Sequence, residues 1–293
     1  MLQTHALLGL GLTLVTIVIF IFLEIGNTSV DQPLPKKIRL AHISTTGLGT
    51  AFANTLPGPV RVSFTNASLY GNPIHPHQSR TPGDGLRTYY TWGLWNVCAG
   101  YHSPSELQYC APIQVAQSFT PTAAILEDVP PLYSAGMAAL LTNEKYGLKD
   151  DKSLRGTSKM AGFALLSAAG HLIMMIPISI FLMIGKGPAM LPMAALGIQI
   201  PTVMSCFISA ALWTSMISGL QGKLAQKMDG VDLGITVEFG AALWILWVIA
   251  VFTIISSVPF VAIFIAARRA EAERKEVEKL TQTALCLPRK DSY

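Results

Sequence analysis

Charge is the scarce ingredient of this chain. Only 13% of its 293 residues are Asp, Glu, Lys or Arg, whereas 51% are hydrophobic; an ordinary soluble domain carries about a quarter charged residues. Four stretches hold none of these four residue types: 1–23, 160–185, 187–222 and 239–267. A helix needs about 20 apolar residues to cross about 30 Å of hydrocarbon, so each stretch accommodates one crossing. The expected spans are 6–26, 160–184, 192–218 and 239–266. Pro188, Pro192 and Pro201 interrupt the third stretch, but the residues after Pro201 suffice for only one crossing, so one span with an irregular start is expected. The first stretch lacks the basic n-region and the A-x-A-like exit of a cleaved signal peptide, and reads as an uncleaved anchor.

Catalytic signatures are missing as well. The sequence has no G-x-S-x-G elbow, no phosphate-cradling glycine loop, no C-x-x-C pair, no H-E-x-x-H helix and no paired carboxylates in an apolar setting. No enzymatic activity, catalytic residue, cofactor or metal is therefore expected. His75-Pro76-His77 offers two imidazoles where a closed metal site needs about four ligands, and reads as a loop tip. A net charge of +4 with scattered basic groups excludes a nucleic-acid footprint. Acidic residues are absent within the spans, Glu24 and Glu238 lying at span ends, which argues against a cation channel or a proton-coupled transporter. His171, alone in the second span, reads as a neutral imidazole bonded between helices.

Basic residues set the orientation. Arg268, Arg269, Arg274 and Lys275 follow the last span, and the positive-inside rule makes that end cytoplasmic. Counting back gives 1–26 as the first span with a short cytoplasmic N-terminus, 27–159 as a large extracellular loop and 160–184 as the second span. A cytoplasmic loop at 185–191, the third span at 192–218, an extracellular loop at 219–238, the fourth span at 239–266 and a charged cytoplasmic tail at 267–293 complete the layout. Lys36, Lys37, Arg39, Lys149, Lys152, Arg155 and Lys159 at the ends of the long loop argue the reverse, but long loops translocate largely regardless of charge. The sequon Asn66-Ala67-Ser68 favours the outside and marks Asn66 for glycosylation. Asn27-Thr28-Ser29 also matches, close to the membrane, and carries little weight.

Cysteine is scarce too, yet two of the four fall in TWGLWNVCAGYHSPSELQYC, residues 91–110. In an oxidising compartment Cys98 and Cys110 can pair, closing a loop worth roughly 3 kcal/mol. Around them LRTYYTWGLWNV, IRLAHI (38–43) and VRVSF (60–64) read as strands, with turn chemistry at Gly83-Asp84-Gly85 and His102-Ser103-Pro104. Cys206 reads as a packing residue and Cys286 as a free cytosolic thiol. The segment LYSAGMAALLTNEKY after Pro131 is compatible with a short helix. The tail from Arg268 to Leu285 reads as a helical continuation of the last span, with Glu271 and Lys275 one turn apart. Small residues at four-residue spacing, Ala164 and Ala168, Ser205 and Ser209, permit close helix approach.

Gly93-Leu94-Trp95, Cys98 and Cys110 in the first outer loop of a four-span protein resemble the claudin-superfamily signature G-L-W-x-x-C…C. The large loop and charged tail resemble the fungal branch, the Sur-seven/PalI family of plasma-membrane proteins. No tryptophan precedes Trp92, unlike animal claudins, and the loop is far longer than theirs. The resemblance implies a membrane all-α fold, a four-transmembrane-helix bundle with a small disulfide-stapled extracellular β-sheet. In it Trp92, Gly93, Leu94 and Trp95 seat the sheet on the helix ends, and Cys98 and Cys110 lock two strands. A fold staple without a binding role accounts for the motif equally well. The implied function is a plasma-membrane scaffold linked to membrane-domain organisation, endocytosis, cell-wall integrity or ambient-pH signalling. The alternative is an auxiliary subunit of a channel or receptor, such as a claudin-like calcium-influx regulator. Implied partners are membrane lipids, other integral membrane proteins and further copies of the chain.

Overall fold

The computed structural model describes residues 2–28, 37–57, 61, 64–70, 83–101, 107–142, 151–185, 190–225 and 232–285. In chain order the elements are α1 (Leu2–Glu24), β1 (Ala41–Ser44), α2 (Leu48–Thr55), α3 (Asn66–Leu69), β2 (Tyr89–Trp92), β3 (Val97–Gly100), β4 (Leu107–Cys110), α4 (Pro121–Asp128), α5 (Pro131–Leu141), α6 (Asp151–Ile184), α7 (Leu191–Ala225), β5 (Thr236–Phe239) and α8 (Ala241–Leu285). Helices α1, α6, α7 and α8 are long and apolar enough to cross a membrane. Helix is the form that satisfies every backbone polar group within one segment, as hydrocarbon demands. The helices outrun the charge-free stretches: α6 begins at Asp151 and includes Lys152, Arg155 and Lys159, and α8 continues through the charged tail. There Lys275 and Glu271 pair at 2.7 Å.

Of the irregular start expected of the third span, Pro188 lies outside the described residues, and Pro192 and Pro201 sit within a helix. Helix α7 is regular from Leu191, with Pro192 in the first turn, where a missing N–H costs nothing, and Pro201 accommodated inside. Of the strand expected at 60–64 only Arg61 and Phe64 are described, and neither is extended in a sheet. His75, His77, the turn at 102–104 and Cys286 lie outside the described residues.

The chain divides into two compact units. The sheet unit comprises Val18–Ser167 and Ser205–Ala250. Its five-stranded antiparallel sheet has the order β4-β3-β2-β1-β5. β1 pairs with β2 (Ala41 opposite Trp92) and with β5 (His42 opposite Glu238), so the segments joining α1 to α6 and α7 to α8 share one sheet. In the same unit α2, α4 and α5 bury Phe52, Ile125, Met137 and Leu141. Phe52, Phe64 and Tyr133 meet edge to face, with centroids 5.5–6.0 Å apart. Ser209 Oγ of α7 donates to the Ala161 carbonyl of α6 at 3.0 Å.

The tail unit comprises Met1–Ile17, Ala168–Met204 and Val251–Tyr293. Ala6, Met175, Ala195, Phe260 and Ile263 form its buried core. The Phe260 ring reaches so close to Gly9 that a Cβ there would lie 2.8 Å from it. One polar clamp crosses the apolar packing: Gln199 Nε2 donates to the Thr253 carbonyl (3.1 Å) and to Ser256 Oγ (2.8 Å). The Nδ1 of His171 has no hydrogen-bond partner among the described residues.

Candidate functional site

Asn27 organises the motif. It follows α1 in the left-handed region (φ 59°), which asparagine tolerates better than most residues. Its side chain is fully buried against the β2–β3 hairpin. Nδ2 donates to the Thr91 carbonyl (3.2 Å) and to Asn96 Oδ1 (3.4 Å), while Oδ1 accepts from Thr91 Oγ1 (3.0 Å). Burying an amide is tolerable only when its polar atoms are partnered in this way. The hairpin closes with Gly93 N–H donating to the Asn96 carbonyl at 2.9 Å. A Cβ on Gly93 would lie 2.7 Å from the Asn27 Cβ, so the motif glycine is the residue that lets the turn reach the end of α1.

Cys98 and Cys110 stand opposite each other on β3 and β4 and are disulfide-bonded. Cys98 also faces Thr91 across β2–β3, and its sulfur lies 3.1 Å from the Asn27 carbonyl oxygen. That approach is a contact rather than a hydrogen bond, because a disulfide sulfur carries no proton. The covalent staple joins β3 to β4, and the Asn27 amide ties β2 and the turn that follows it to the end of α1.

The two tryptophans of the motif point to different supports. Trp92 is fully buried and meets the Phe119 edge at 5.1 Å; Phe119 in turn meets Trp213 of α7 at 5.8 Å. Tyr90 extends this aromatic row, and its hydroxyl donates to Asp128 Oδ2 at 2.7 Å. Trp95 is half-buried and its side chain hydrogen-bonds the carboxylate of Glu24, the last residue of α1. Leu94 is buried between them, and its carbonyl accepts from Gln117 N–H at 3.1 Å.

A charged cluster lies where β1 meets β5. His42 Nε2 is 3.2 Å from Glu238 Oε2, and Arg39 adjoins them. Burial, with Arg39 adding to it, holds the His42 imidazole below its usual range, and Glu238 acts in the opposite sense. Burial likewise lowers the Arg39 guanidinium, with Glu238 opposing. Gly240 brings the start of α8 against this cluster; a Cβ there would fall 1.9 Å from the Arg39 carbonyl oxygen.

Asn66 is exposed at the first position of α3, whereas Asn27 offers no free amide for a glycan. Among the described residues no three or more His, Cys, Asp or Glu side chains gather where a metal could be held. The arrangement does mechanical work: it fixes a small sheet on α1, α7 and α8. Sequence reasoning took Asn27 only for a sequon of little weight and missed Phe119, Trp213 and β5. The alternation in Ile235-Thr236-Val237-Glu238-Phe239 and the position of Asn27 at a span end were the available signals.

A sequence model of the SUR7/PalI family matches residues 5–267. Four membrane-length helices, the small antiparallel sheet and the Cys98–Cys110 bond make the claudin-like four-helix bundle with a stapled sheet that the resemblance implied. No curated protein and no solved structure matches the chain.

Proposed function

We infer, because this chain belongs to the SUR7/PalI family, that it is a multi-pass plasma-membrane scaffold without enzymatic activity. It organises membrane domains by lateral association with lipids, other integral membrane proteins and further copies of itself, and serves cell-wall integrity, endocytosis or ambient-pH signalling. The observation that carries this reading is the doubly anchored sheet: strands from both connecting segments, a disulfide and a buried aromatic row hold one rigid surface on membrane helices. A surface so fixed suits presentation to a neighbour.

The disulfide supports an extracellular sheet, since such bonds persist in oxidising compartments. The pairing of β1 with β5 supports four crossings, because it needs both segments on one side. Arg268, Arg269, Arg274 and Lys275 then face the cytoplasm with both termini, and Asn66 is available to a glycan. The test is imaging in live cells. Immobile surface clusters are expected, dispersing with Cys98→Ser or Trp95→Ala; unchanged clustering and delivery in both would count against the motif's part. Capture in mild detergent together with a channel or receptor, and altered ion flux on deletion, would favour the auxiliary-subunit reading instead.

A further inference from the structure

A cleft of about 1030 Å³ lies wholly within the tail unit. It stands at the upper end of the range of about 300–1,000 Å³ in which small ligands are held. Its walls come from the start of α1, the end of α6, the start of α7 and the stretch of α8 where charge begins. Phe181, Met190 and Met193 line it and are exposed, and Ile263 and Phe264 close its apolar part.

Where the apolar lining stops, charge begins. Arg268, Glu271 and Arg274 border the cleft, and Lys275 holds Glu271 at 2.7 Å. Arg268 lies over the Phe264 ring, its guanidinium carbon 5.5 Å from the centroid, and among the described residues its one ion pairing is a long 3.7 Å approach to Glu271. Arg274 takes no hydrogen bond or ion pair among the described residues. Arg268, Arg274 and Lys275 together outnumber Glu271, so the mouth is positive.

We propose that this cleft binds an anionic phospholipid, with one acyl chain along the apolar walls and the phosphate at Arg268 and Arg274. A free anion makes no use of the wall, and an uncharged lipid makes no use of the rim; an amphiphile that joins charge to hydrocarbon uses both. The depth agrees. Arg268 is the first charged residue after the uncharged stretch 239–267, so the rim falls at headgroup level. Guanidinium groups match phosphate oxygens in bidentate geometry, and basic residues just past a span draw anionic lipid. The inference goes beyond the scaffold reading and requires only that α8 spans a bilayer.

Full-length protein in nanodiscs of equal parts phosphatidylcholine and phosphatidylserine tests it, with the lipid that stays bound after extraction counted by native mass spectrometry. Phosphatidylserine should be retained over phosphatidylcholine. Arg268→Ala should weaken that retention about fivefold. Ala267→Phe, which sets a ring into the acyl-chain wall and leaves every charge in place, should abolish it. Arg269→Ala removes the same charge from a neighbour that does not line the cleft, and should leave retention unchanged. Equal losses in Arg268→Ala and Arg269→Ala would overturn the site in favour of diffuse surface attraction. Retention that survives Ala267→Phe would overturn it too, as would displacement of the lipid by inorganic phosphate or a cross-link showing a second copy of the chain in the cleft. Loss of surface clustering, the failure of the scaffold reading, leaves this readout untouched.

Discussion

The sheet unit and the tail unit are held together by different chemistry. In the sheet unit a disulfide, a fully partnered asparagine, an interleaved aromatic row and glycines without room for a side chain all converge on a few residues. In the tail unit small and aliphatic side chains pack around Phe260, and Gln199 supplies a polar clamp. The difference follows from the solvent each faces. A small sheet in water has too little core to hold itself and needs a staple. Helices in lipid gain nothing from hydrophobic burial against each other, and rely on close packing and a few hydrogen bonds. Mutational cost should accordingly concentrate in the sheet unit.

The largest effect is expected at Trp92. Trp92→Ala should cost about 3–5 kcal/mol, read as a lowered midpoint in thermal unfolding of the detergent-purified protein. Next comes the staple: the double substitution Cys98→Ser with Cys110→Ser should cost about 3 kcal/mol, and reducing agent should shift the parent protein by the same amount while leaving the double variant unmoved. Gly93→Ala forces a methyl group against Asn27, for about 1–3 kcal/mol on the same assay. In the tail unit Gln199→Leu keeps the volume and loses the clamp, at about 0.6 kcal/mol and no more than about 1.7 kcal/mol. Should Gln199→Leu prove as damaging as Trp92→Ala, the contrast between the units is broken.

The smallest effect is a pH slope. His42 is held below its usual value of 6.5, so the unfolded chain takes up a proton before the folded one as pH falls. Stability present above pH 6.5 is therefore lost progressively below it, levelling off once the folded imidazole also protonates. Unfolding midpoints measured across that window should flatten in His42→Gln. They should steepen in Glu238→Gln, which removes the group that raises the imidazole.

The spans were legible because charge-free stretches of hydrocarbon length admit almost no other reading. Their ends were not: Asp151, Lys152, Arg155 and Lys159 are charged yet helical, since a helix leaving the bilayer no longer needs apolar side chains. The strands around Trp92 and Cys98 were visible in aromatic and β-branched composition. β5 was not, because four residues become a strand only through pairing with β1, far away in the chain. Asn27 could be read as a sequon but not as a buried hub, for its role rests on a left-handed backbone and on Thr91 and Asn96, which spacing does not reveal. The motif tryptophans were easy to single out, whereas their supports, Phe119, Trp213 and Glu24, come from three separate segments.

Strand β5 also imposes an order on biosynthesis. It leaves the ribosome after β1 to β4 and after α1, α6 and α7. Throughout that interval β1 carries a row of unsatisfied amides and carbonyls along one flank, a ready template for any passing extended peptide. A nonsense codon between Cys110 and Thr236 makes that interval permanent, so a chain truncated there should be recognised by chaperones as unfinished even with its cysteines already joined.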